Sequence, residues 1–217
     1  MNVLTTYGCI VASYLLGAIP FGLIVARMFD IADIRTLGSG NIGATNVWRV
    51  AGRRAAIWVY LLDMGKGVGA VLLAETVLQP AIQRDLFLVL CALAAVIGHV
   101  FPLYLTFRGG KGVSTGLGVM IVLLPLAAAV ALVVFVLVVS LTRYISLGSM
   151  LGALSLCAVL AVERFVLLKP VASIYLFLSF AFVIVVFFTH RGNIVRLIRG
   201  TERHFSFSSQ DSGKEHS

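Results

Sequence analysis

Charged residues are scarce in this chain. Only 12% of its 217 residues are Asp, Glu, Lys or Arg, whereas 60% are hydrophobic and the mean hydropathy is +1.04. Soluble domains carry about 25% charged residues, so the composition excludes an ordinary soluble protein. Because a bilayer offers the backbone no hydrogen-bond partners, apolar runs of about 20 residues cross it as helices. The sequence therefore predicts an all-α integral membrane protein.

Cysteine and the familiar catalytic motifs are equally sparse. Cys9, Cys91 and Cys157 each lie within an apolar run and show no metal-ligand spacing, so we interpret them as small buried hydrophobes. The sequence has no zinc-type cluster and no G-x-S-x-G elbow. Neither His99 nor His190 is followed five positions later by aspartate, and no D-G-x2-A-R pattern occurs. These absences exclude several transferase and hydrolase chemistries, and no metal or organic cofactor is implied.

What the chain does have is six apolar runs, at residues 3–26, 55–78, 86–107, 113–141, 146–162 and 171–189. The first run lacks a basic n-region and an A-x-A cleavage site, so it predicts a retained helix and not a signal peptide. Residues 206–217 are polar and Ser-rich, which predicts a disordered cytoplasmic tail. Without any internal repeat, residues 1–205 are predicted to form a single membrane-embedded domain.

The basic residues indicate an orientation. The formal net charge of +8 comes from Lys and Arg that cluster at residues 27–54, at Arg108 and Lys111, at Arg143 and at residues 191–203. Cytoplasmic loops collect such residues, so the charge indicates orientation and not nucleic-acid binding. If the second and the last of these clusters both face the cytoplasm, an even number of crossings must separate them. Only three apolar runs lie between them.

A proline offers the missing crossing. Pro125 lies near the centre of the run at residues 113–141, and proline ends or kinks a helix. Two short helices hinged at Leu124 and Pro125 would make the number of crossings between the two clusters even. We therefore predict a bundle of about seven transmembrane helices, with the N-terminus outside and the C-terminus in the cytoplasm. The alternative is one long tilted span over residues 113–141, with a re-entrant segment elsewhere.

A polar strip, GSGNIGATNVWR at residues 38–49, separates the first two apolar runs. Its three glycines allow the backbone to approach a ligand closely. Arg49 adds a fork of donors that matches a phosphate or a carboxylate. Short hydrogen-bonding side chains come from Ser39, Asn41, Thr45 and Asn46. The strip therefore predicts an anion site beside the membrane.

Other polar segments reach the same membrane face under this topology. Residues 108–116 combine glycines with Lys111 at a helix start, which favours an anion although the P-loop pattern is not matched. Asp63 and Lys66, three positions apart on a helix, are either a structural ion pair or a functional site. His99 is interpreted as a packing histidine. Orientation anchoring accounts for most of the C-terminal arginines, Arg191, Arg196, Arg199 and Arg203.

Three motifs in order resemble the bacterial acyl-phosphate:glycerol-3-phosphate acyltransferases, the PlsY family. They are GSGNIGATN followed by Arg49, FRGGKGV at residues 107–113, and HRGNI at residues 190–194. The resemblance implies a seven-helix protein of the bacterial inner membrane whose active site faces the cytoplasm. It also implies transfer of a fatty acyl group from acyl phosphate to the 1-hydroxyl of glycerol 3-phosphate. Lysophosphatidic acid would be the product, in the first acylation of phospholipid synthesis.

The resemblance also implies site residues and partners. The active-site residues carried over are Ser39, Arg49, Lys111, His190 and Asn193. The further positions expected to bind substrate or phosphate are Gly40, Asn41, Thr45, Asn46, Gly109, Gly110, Gly112, Ser149 and Glu202. The expected partners are the two substrates, membrane lipids and the soluble enzyme that makes acyl phosphate. Either His190 or a substrate phosphate would take the hydroxyl proton.

Two other functions are compatible with parts of the sequence. A small organic-anion transporter would suit the intramembrane Asp63 and Lys66 and the break at Pro125. Against it, the polar residues gather on one face and no inverted repeat is present. A membrane scaffold without catalysis would leave the convergent glycine, lysine and arginine segments without a role.

Overall fold

The computed structural model describes residues 3–77 and 84–205, and within these ranges it contains helices and turns but no strand. The helices are α1 (Val3–Ala18), α2 (Phe21–Met28), α3 (Ala44–Val77), α4 (Arg84–Val100), α5 (Val113–Leu123), α6 (Pro125–Thr142), α7 (Ile145–Ala161), α8 (Ser173–Thr189) and α9 (Arg191–Ile198). The predicted all-α fold is confirmed. The predicted disordered tail at residues 206–217 and the end of the second apolar run at Leu78 lie outside the described residues.

The sequence analysis expected one continuous helix over the first apolar run. The structure instead has two helices there. The run breaks between α1 and α2 at Ile19 and Pro20. Proline lacks a backbone N–H and its ring clashes with the preceding turn, so α1 ends before it and α2 starts after it. Pro20 instead offers its carbonyl to the N–H groups of Leu23 and Ile24, at 3.0 and 3.1 Å. The break leaves the Ile19 carbonyl available to a side chain from α3.

Helix α3 begins at Ala44, eleven residues before the predicted start at residue 55. The polar strip is therefore a loop only over its first half, and Thr45, Asn46 and Arg49 stand on a helix. Gly52 interrupts this helix with φ 82° and ψ 179°, a conformation that only glycine adopts without strain. The segment carrying Arg49 is thus set at its own angle to the membrane-spanning part of α3.

The predicted break at Leu124 and Pro125 is confirmed. Helix α5 ends at Leu123, Leu124 has φ −142° and ψ 60°, and Pro125 is the first residue of α6. Proline suits this position because the first N–H of a helix has no intrahelical partner. The alternative of one long tilted span over residues 113–141 is wrong.

Five segments are long and apolar enough to cross a membrane: 4–28, Ala44–Val77, 84–105, Pro125–Thr142 and 145–166. Helices α8 and α9, which meet at a 62° bend, can form a sixth. Helix α5 has only 11 residues and is shorter than a full crossing. The exact number of seven crossings and the orientation of the two termini stay predictions.

Glycines allow the helices to pack closely. A Cβ on Gly17 would strike the Ala95 backbone, and one on Gly98 would strike the Tyr14 carbonyl, so α1 and α4 meet nearly backbone to backbone. Gly67 and Gly118 allow an equally close approach between α3 and α5, because a Cβ on either would strike the backbone of the other helix. Small residues commonly mediate helix contacts in lipid, where apolar burial gives little driving force between helices. The outer face of α6 is apolar and exposed, as expected for a surface that faces lipid.

Candidate functional site

A cavity of about 920 Å³ lies where the α2–α3 loop, the α4–α5 loop, the start of α7, the α8–α9 junction and the C-terminal segment meet. Four of the polar segments singled out in the sequence contribute to it. The predicted site residues that line it are Ser39, Asn41, Thr45, Asn46, Arg49, Lys111, Gly112, Ser149, His190, Asn193 and Glu202. The fold therefore brings together residues that are up to 163 positions apart in the chain.

Three predicted phosphate-binding glycines do not line the cavity. Their amide N–H groups already donate to nearby carbonyls: Gly40 to Leu37 at 3.0 Å, Gly109 to Val100 at 3.1 Å and Gly110 to His99 at 3.1 Å. These N–H groups are therefore unavailable to a ligand in this arrangement. The glycines shape the two loops, and the expectation that their amides cradle a phosphate receives no support from the geometry.

Asn46 holds the Ser39 loop in place. Its side chain is only 1% exposed, and its Oδ1 accepts the Ser39 N–H at 2.7 Å. Its Nδ2 donates to the Leu37 carbonyl at 3.1 Å and to the Ile34 carbonyl at 3.3 Å. Each polar atom of the Asn46 amide is thus used within the loop. The arrangement fixes the place of Ser39 at the cavity wall, which is a supporting role.

The start of α3 presents polar groups and a cation to the cavity. Asn41 Oδ1 accepts the Gly43 N–H at 2.8 Å and so turns the chain into the helix. Thr45 and Arg49, one turn apart, both line the cavity. Among the described residues the half-buried Arg49 guanidinium makes no ion pair. A helix start with an adjacent guanidinium is a favourable place for a phosphate.

Lys111, Asn193 and Glu202 form a connected network on the opposite wall. Lys111 Nζ donates to Asn193 Oδ1 at 2.6 Å, and Asn193 Nδ2 donates to Glu202 Oε1 at 2.5 Å. The Glu202 carboxylate, 8% exposed, also accepts Ser146 Oγ at 2.7 Å and Arg196 Nε at 2.8 Å. One carboxylate therefore fixes the side chains that orient the lysine.

The surroundings of this network shift its ionisation. Burial lowers the pKa of Lys111 to about 8; the Glu202 carboxylate opposes the shift, while Arg196 and Arg49 add to it. Burial acts to raise the pKa of Glu202, but hydrogen bonds from Asn193, Ser146 and Arg196 outweigh it and hold that pKa below its usual value. At neutral pH the site thus holds an ammonium close to its titration point beside an ionised carboxylate.

His190 occupies the junction between α8 and α9 and is 2% exposed. Its Nδ1 lies 2.8 Å from the Val186 carbonyl. Because a carbonyl can only accept, Nδ1 carries a hydrogen, and in the neutral ring Nε2 is an acceptor. His190 and Asn193, three positions apart, both reach the cavity, as the sequence predicted.

Several cavity residues were missed or misread from the sequence. Tyr60 lines the cavity one helical turn before Asp63, a spacing that could have indicated it. Arg196 was interpreted as an orientation anchor, yet it binds Glu202. Trp48 and Phe205 also line the cavity, with ring centroids 5.0 Å apart. No sequence signal links these two rings, because they are brought together only by the course of the C-terminal segment.

Charge and shape define the class of site. Arg49, Lys111, Arg196 and Arg203 line a cavity whose carboxylates are Glu202 and Asp63. The excess of cations suits an anionic ligand, and apolar residues of α6 such as Phe135 and Val136 continue the same wall. The fold and the site together define a membrane-embedded helical protein whose cation-rich cavity, with apolar residues along one wall, suits an anionic ligand.

Comparison with known proteins gives the family. Residues 7–200 match the family model described as glycerol-3-phosphate acyltransferase. The chain is 42% identical over 194 residues to a glycerol-3-phosphate acyltransferase of Anaeromyxobacter dehalogenans (strain 2CP-C), covering 89% of this chain and 94% of that one. It is 44% identical over 200 residues to one of Myxococcus xanthus (strain DK1622), covering 92% and 100%. The chain belongs to the glycerol-3-phosphate acyltransferase family, and the predicted resemblance is confirmed.

Solved structures agree with this assignment. The fold matches a crystal structure of PlsY, an integral membrane glycerol 3-phosphate acyltransferase, in its glycerol 3-phosphate form, with a TM-score of 0.81 and 34% identity over 93% of this chain and 96% of that one. The lysophosphatidic acid form of PlsY matches with a TM-score of 0.80 and 32% identity, over 95% and 97%. The class of integral membrane protein is therefore established from both sequence and fold.

Proposed function

We propose that this protein transfers a fatty acyl group from acyl phosphate to the 1-hydroxyl of glycerol 3-phosphate, giving lysophosphatidic acid and phosphate. The reaction would be the first acylation of bacterial phospholipid synthesis. Family membership supports the acceptor and the reaction class. The observation that carries the proposal is the cavity that Arg49 lines from the start of α3 and Lys111 from the α4–α5 loop, since both substrates bring a phosphate group.

Two anionic substrates require more than one cation. Arg49 can bind one phosphate with its guanidinium fork, together with Ser39, Thr45 and the start of α3. Lys111, held by Asn193, can neutralise the other phosphate as a point charge. Ser149 and Gly112 line the same cavity and complete the set of polar contacts. Placing both phosphates in one cavity brings the glycerol hydroxyl to the acyl carbon.

The acyl tail needs an apolar channel. A second cavity of about 60 Å³ shares Tyr60, Val113, Phe135 and Ser149 with the first. Its remaining walls are Leu117, Ala131, Leu132, Gly148, Gly152, Ala153, Leu156 and Phe182. It lies between α5, α6, α7 and α8, next to surfaces that face lipid. This apolar space can take the first carbons of a fatty acyl chain beyond the phosphate site, and the rest of the chain would lie along the neighbouring lipid-facing surfaces.

The chemistry requires no covalent enzyme intermediate. The glycerol 1-hydroxyl oxygen forms a bond to the acyl carbon, and the resulting tetrahedral oxyanion collapses with cleavage of the bond to the phosphate oxygen. Phosphate leaves readily when Arg49 and Lys111 neutralise its charge. We assign the hydroxyl proton to a substrate phosphate oxygen. His190, whose Nε2 is an acceptor in the neutral ring, and Asn193 would orient glycerol 3-phosphate.

We place the protein in the bacterial inner membrane with its active site facing the cytoplasm. The basic segments at residues 27–54 and 191–203 and the loop around Lys111 all border the cavity end of the bundle, and the positive-inside rule puts such segments in the cytoplasm. Acyl phosphate delivered by the soluble enzyme that makes it would reach the site from that side.

The decisive experiment incubates the purified protein in detergent with acyl phosphate and glycerol 3-phosphate and detects lysophosphatidic acid and released phosphate. Acyl-CoA and acyl carrier protein replace acyl phosphate in parallel reactions. We expect product only with acyl phosphate. No product from correctly folded protein would contradict the proposal. Uptake of an organic anion into proteoliposomes by the same preparation would then favour the transporter.

A further inference from the structure

A buried cluster of ionisable residues lies behind the Lys111 loop and has no part in the chemistry above. Asp63 and Lys66 on α3 and His99 on α4 are 3%, 4% and 4% exposed. Ionisable groups inside a membrane protein are costly unless they are paired, and they mark function more often than chance. Asp63 and His99 also line the main cavity, whereas Lys66 does not.

Lys66 anchors one end of this cluster. Its Nζ lies 2.8 Å from Asp63 Oδ1 and donates to the Ile19 carbonyl at 2.9 Å. That carbonyl stands at the break that Pro20 makes between α1 and α2. Lys66 therefore joins the carboxylate of Asp63 to the break between α1 and α2. The same Asp63 oxygen, Oδ1, also faces His99 on α4.

His99 connects Asp63 to the loop that carries Lys111. Its Nδ1 lies 3.5 Å from Asp63 Oδ1 and has no hydrogen-bond partner among the described residues. Its carbonyl accepts the Gly110 N–H at 3.1 Å, and a Cβ on Gly110 would collide with its imidazole ring. The ring thus packs directly on the residue before Lys111.

Lys111 is then directed across the cavity. Gly112, with φ +81°, turns the chain immediately after it, and its Nζ bonds Asn193. We propose that His99, held by Asp63 and Lys66, is a positioning residue that sets the loop so that the Lys111 ammonium meets Asn193 and the substrate phosphate. The reference to substrate rests on the proposed function, whereas the placement of Lys111 does not.

The first test follows Lys111 itself. The protein in detergent is labelled with an amine-directed reagent over a range of pH, and the Lys111 peptide is followed by mass spectrometry. In the native protein the rate should rise with a midpoint at the pKa of about 8, since burial lowers it and Glu202, Arg196, Arg49 and His190 surround the amine. Exposed Lys169 provides an internal reference.

His99→Phe and Gly110→Ala should both move this midpoint upward toward the usual value of 10.5, because the ammonium leaves its buried position. His99→Gln, which keeps a polar side chain facing Asp63, should stay close to the native midpoint. Gly65→Ala is the matched glycine control, because a Cβ there meets nothing within 4 Å. Leu88→Ala destabilises the same helix as His99 at a fully buried site and should leave the midpoint unchanged. An unchanged midpoint in both His99→Phe and Gly110→Ala overturns the proposal.

The second test is a double-mutant cycle on turnover. His99→Phe should lower kcat/KM about tenfold in the otherwise native enzyme and by less than about twofold in a Lys111→Ala background. Equal losses in both backgrounds contradict positioning through Lys111. If the preparation has no acyltransferase activity at all, that result contradicts the proposed function only. The positioning of Lys111 is still decided by the labelling test, which does not depend on turnover.

Discussion

At the scale of single residues, the site places its cations in unequal surroundings. Arg49 is half-buried at a helix start and has no ion pair among the residues that the structure describes, whereas Lys111 is held by Asn193 within a network centred on Glu202. An uncommitted guanidinium suits a ligand that enters and leaves, and a restrained ammonium suits a group whose position must be fixed.

Removing either cation should abolish most of the turnover. We expect Arg49→Ala and Lys111→Ala each to lower kcat/KM by about 100-fold or more, because each deletes a preorganised charge that acts on a phosphate. Arg54→Ala is the control, since Arg54 is exposed on the same helix and does not line the cavity. Activity near the native level in either cavity variant, measured by lysophosphatidic acid formation, would refute the two-phosphate arrangement.

The activity should also fall at alkaline pH. In the proposed site Lys111 must be protonated to hold a phosphate, so raising the pH through its pKa of about 8 should remove the charge and weaken binding. The plot of kcat/KM against pH should bend downward near pH 8. The plot of kcat should bend at a higher pH, because a bound phosphate stabilises the ammonium form of Lys111. Lys111→Arg, which stays charged, should lose this bend. If its profile keeps the bend at pH 8, another group is responsible.

At the scale of elements, the C-terminal segment after α9 forms part of the cavity wall through Glu202, Arg203 and Phe205. The Phe205 N–H donates to the Arg143 carbonyl at 2.7 Å, and its ring packs on Trp48. The His204 ring stacks on Tyr144 with centroids 4.6 Å apart. These contacts join the segment to α3 and to the α6–α7 corner. The segment therefore supports the helix that carries Arg49, next to the kink at Gly52.

We expect Phe205→Ala to raise the KM for glycerol 3-phosphate about fivefold while changing kcat little, because an aromatic pair contributes about 1 kcal/mol to holding this helix. Phe205→Leu should keep much of the packing and show a smaller effect. Combining Phe205→Ala with Trp48→Ala should add little, since both remove the same contact. Fully multiplicative effects in steady-state kinetics would show that the two rings act separately.

At the scale of the whole molecule, the polar ends of the bundle differ. The cavity end gathers the basic loops, whereas the described residues at the opposite end include bases paired with acids, as in Arg84 with Glu75 at 2.6 Å and Lys169 with Glu163 at 2.7 Å. By the positive-inside rule we expect the cavity end to face the cytoplasm. In the proposed orientation, water-soluble substrates would reach the site directly and an acyl chain would enter from the bilayer.

Single cysteines can test the orientation. In a variant without Cys9, Cys91 and Cys157, a membrane-impermeant thiol reagent should label Lys169→Cys in spheroplasts and Arg199→Cys only in inverted vesicles. Both positions are exposed, and neither lines the cavity. The reversed pattern would place the active site outside. Labelling of both on the same side would contradict the predicted number of crossings.

Much of this organisation could be predicted because it depends on local chemistry. Proline inside a helix ends or kinks it, so the split at Pro125 could be predicted from the sequence. The same reasoning applied to Pro20 would have found the break between α1 and α2. The site residues near Ser39, Lys111 and His190 were recognisable because glycines and polar groups interrupt apolar runs.

Only the tertiary structure decided how the polar segments face one another. The sequence by itself determined the class of membrane protein, the family and the polar segments, since composition and motif spacing are properties of short stretches of chain. The bond from Lys111 to Asn193 joins residues 82 positions apart, and Glu202 reaches back to Ser146. Likewise the His99 ring packs against Gly110, on a different element. Such contacts depend on how glycine-lined helices pack, and no local pattern encodes the distance between two helices.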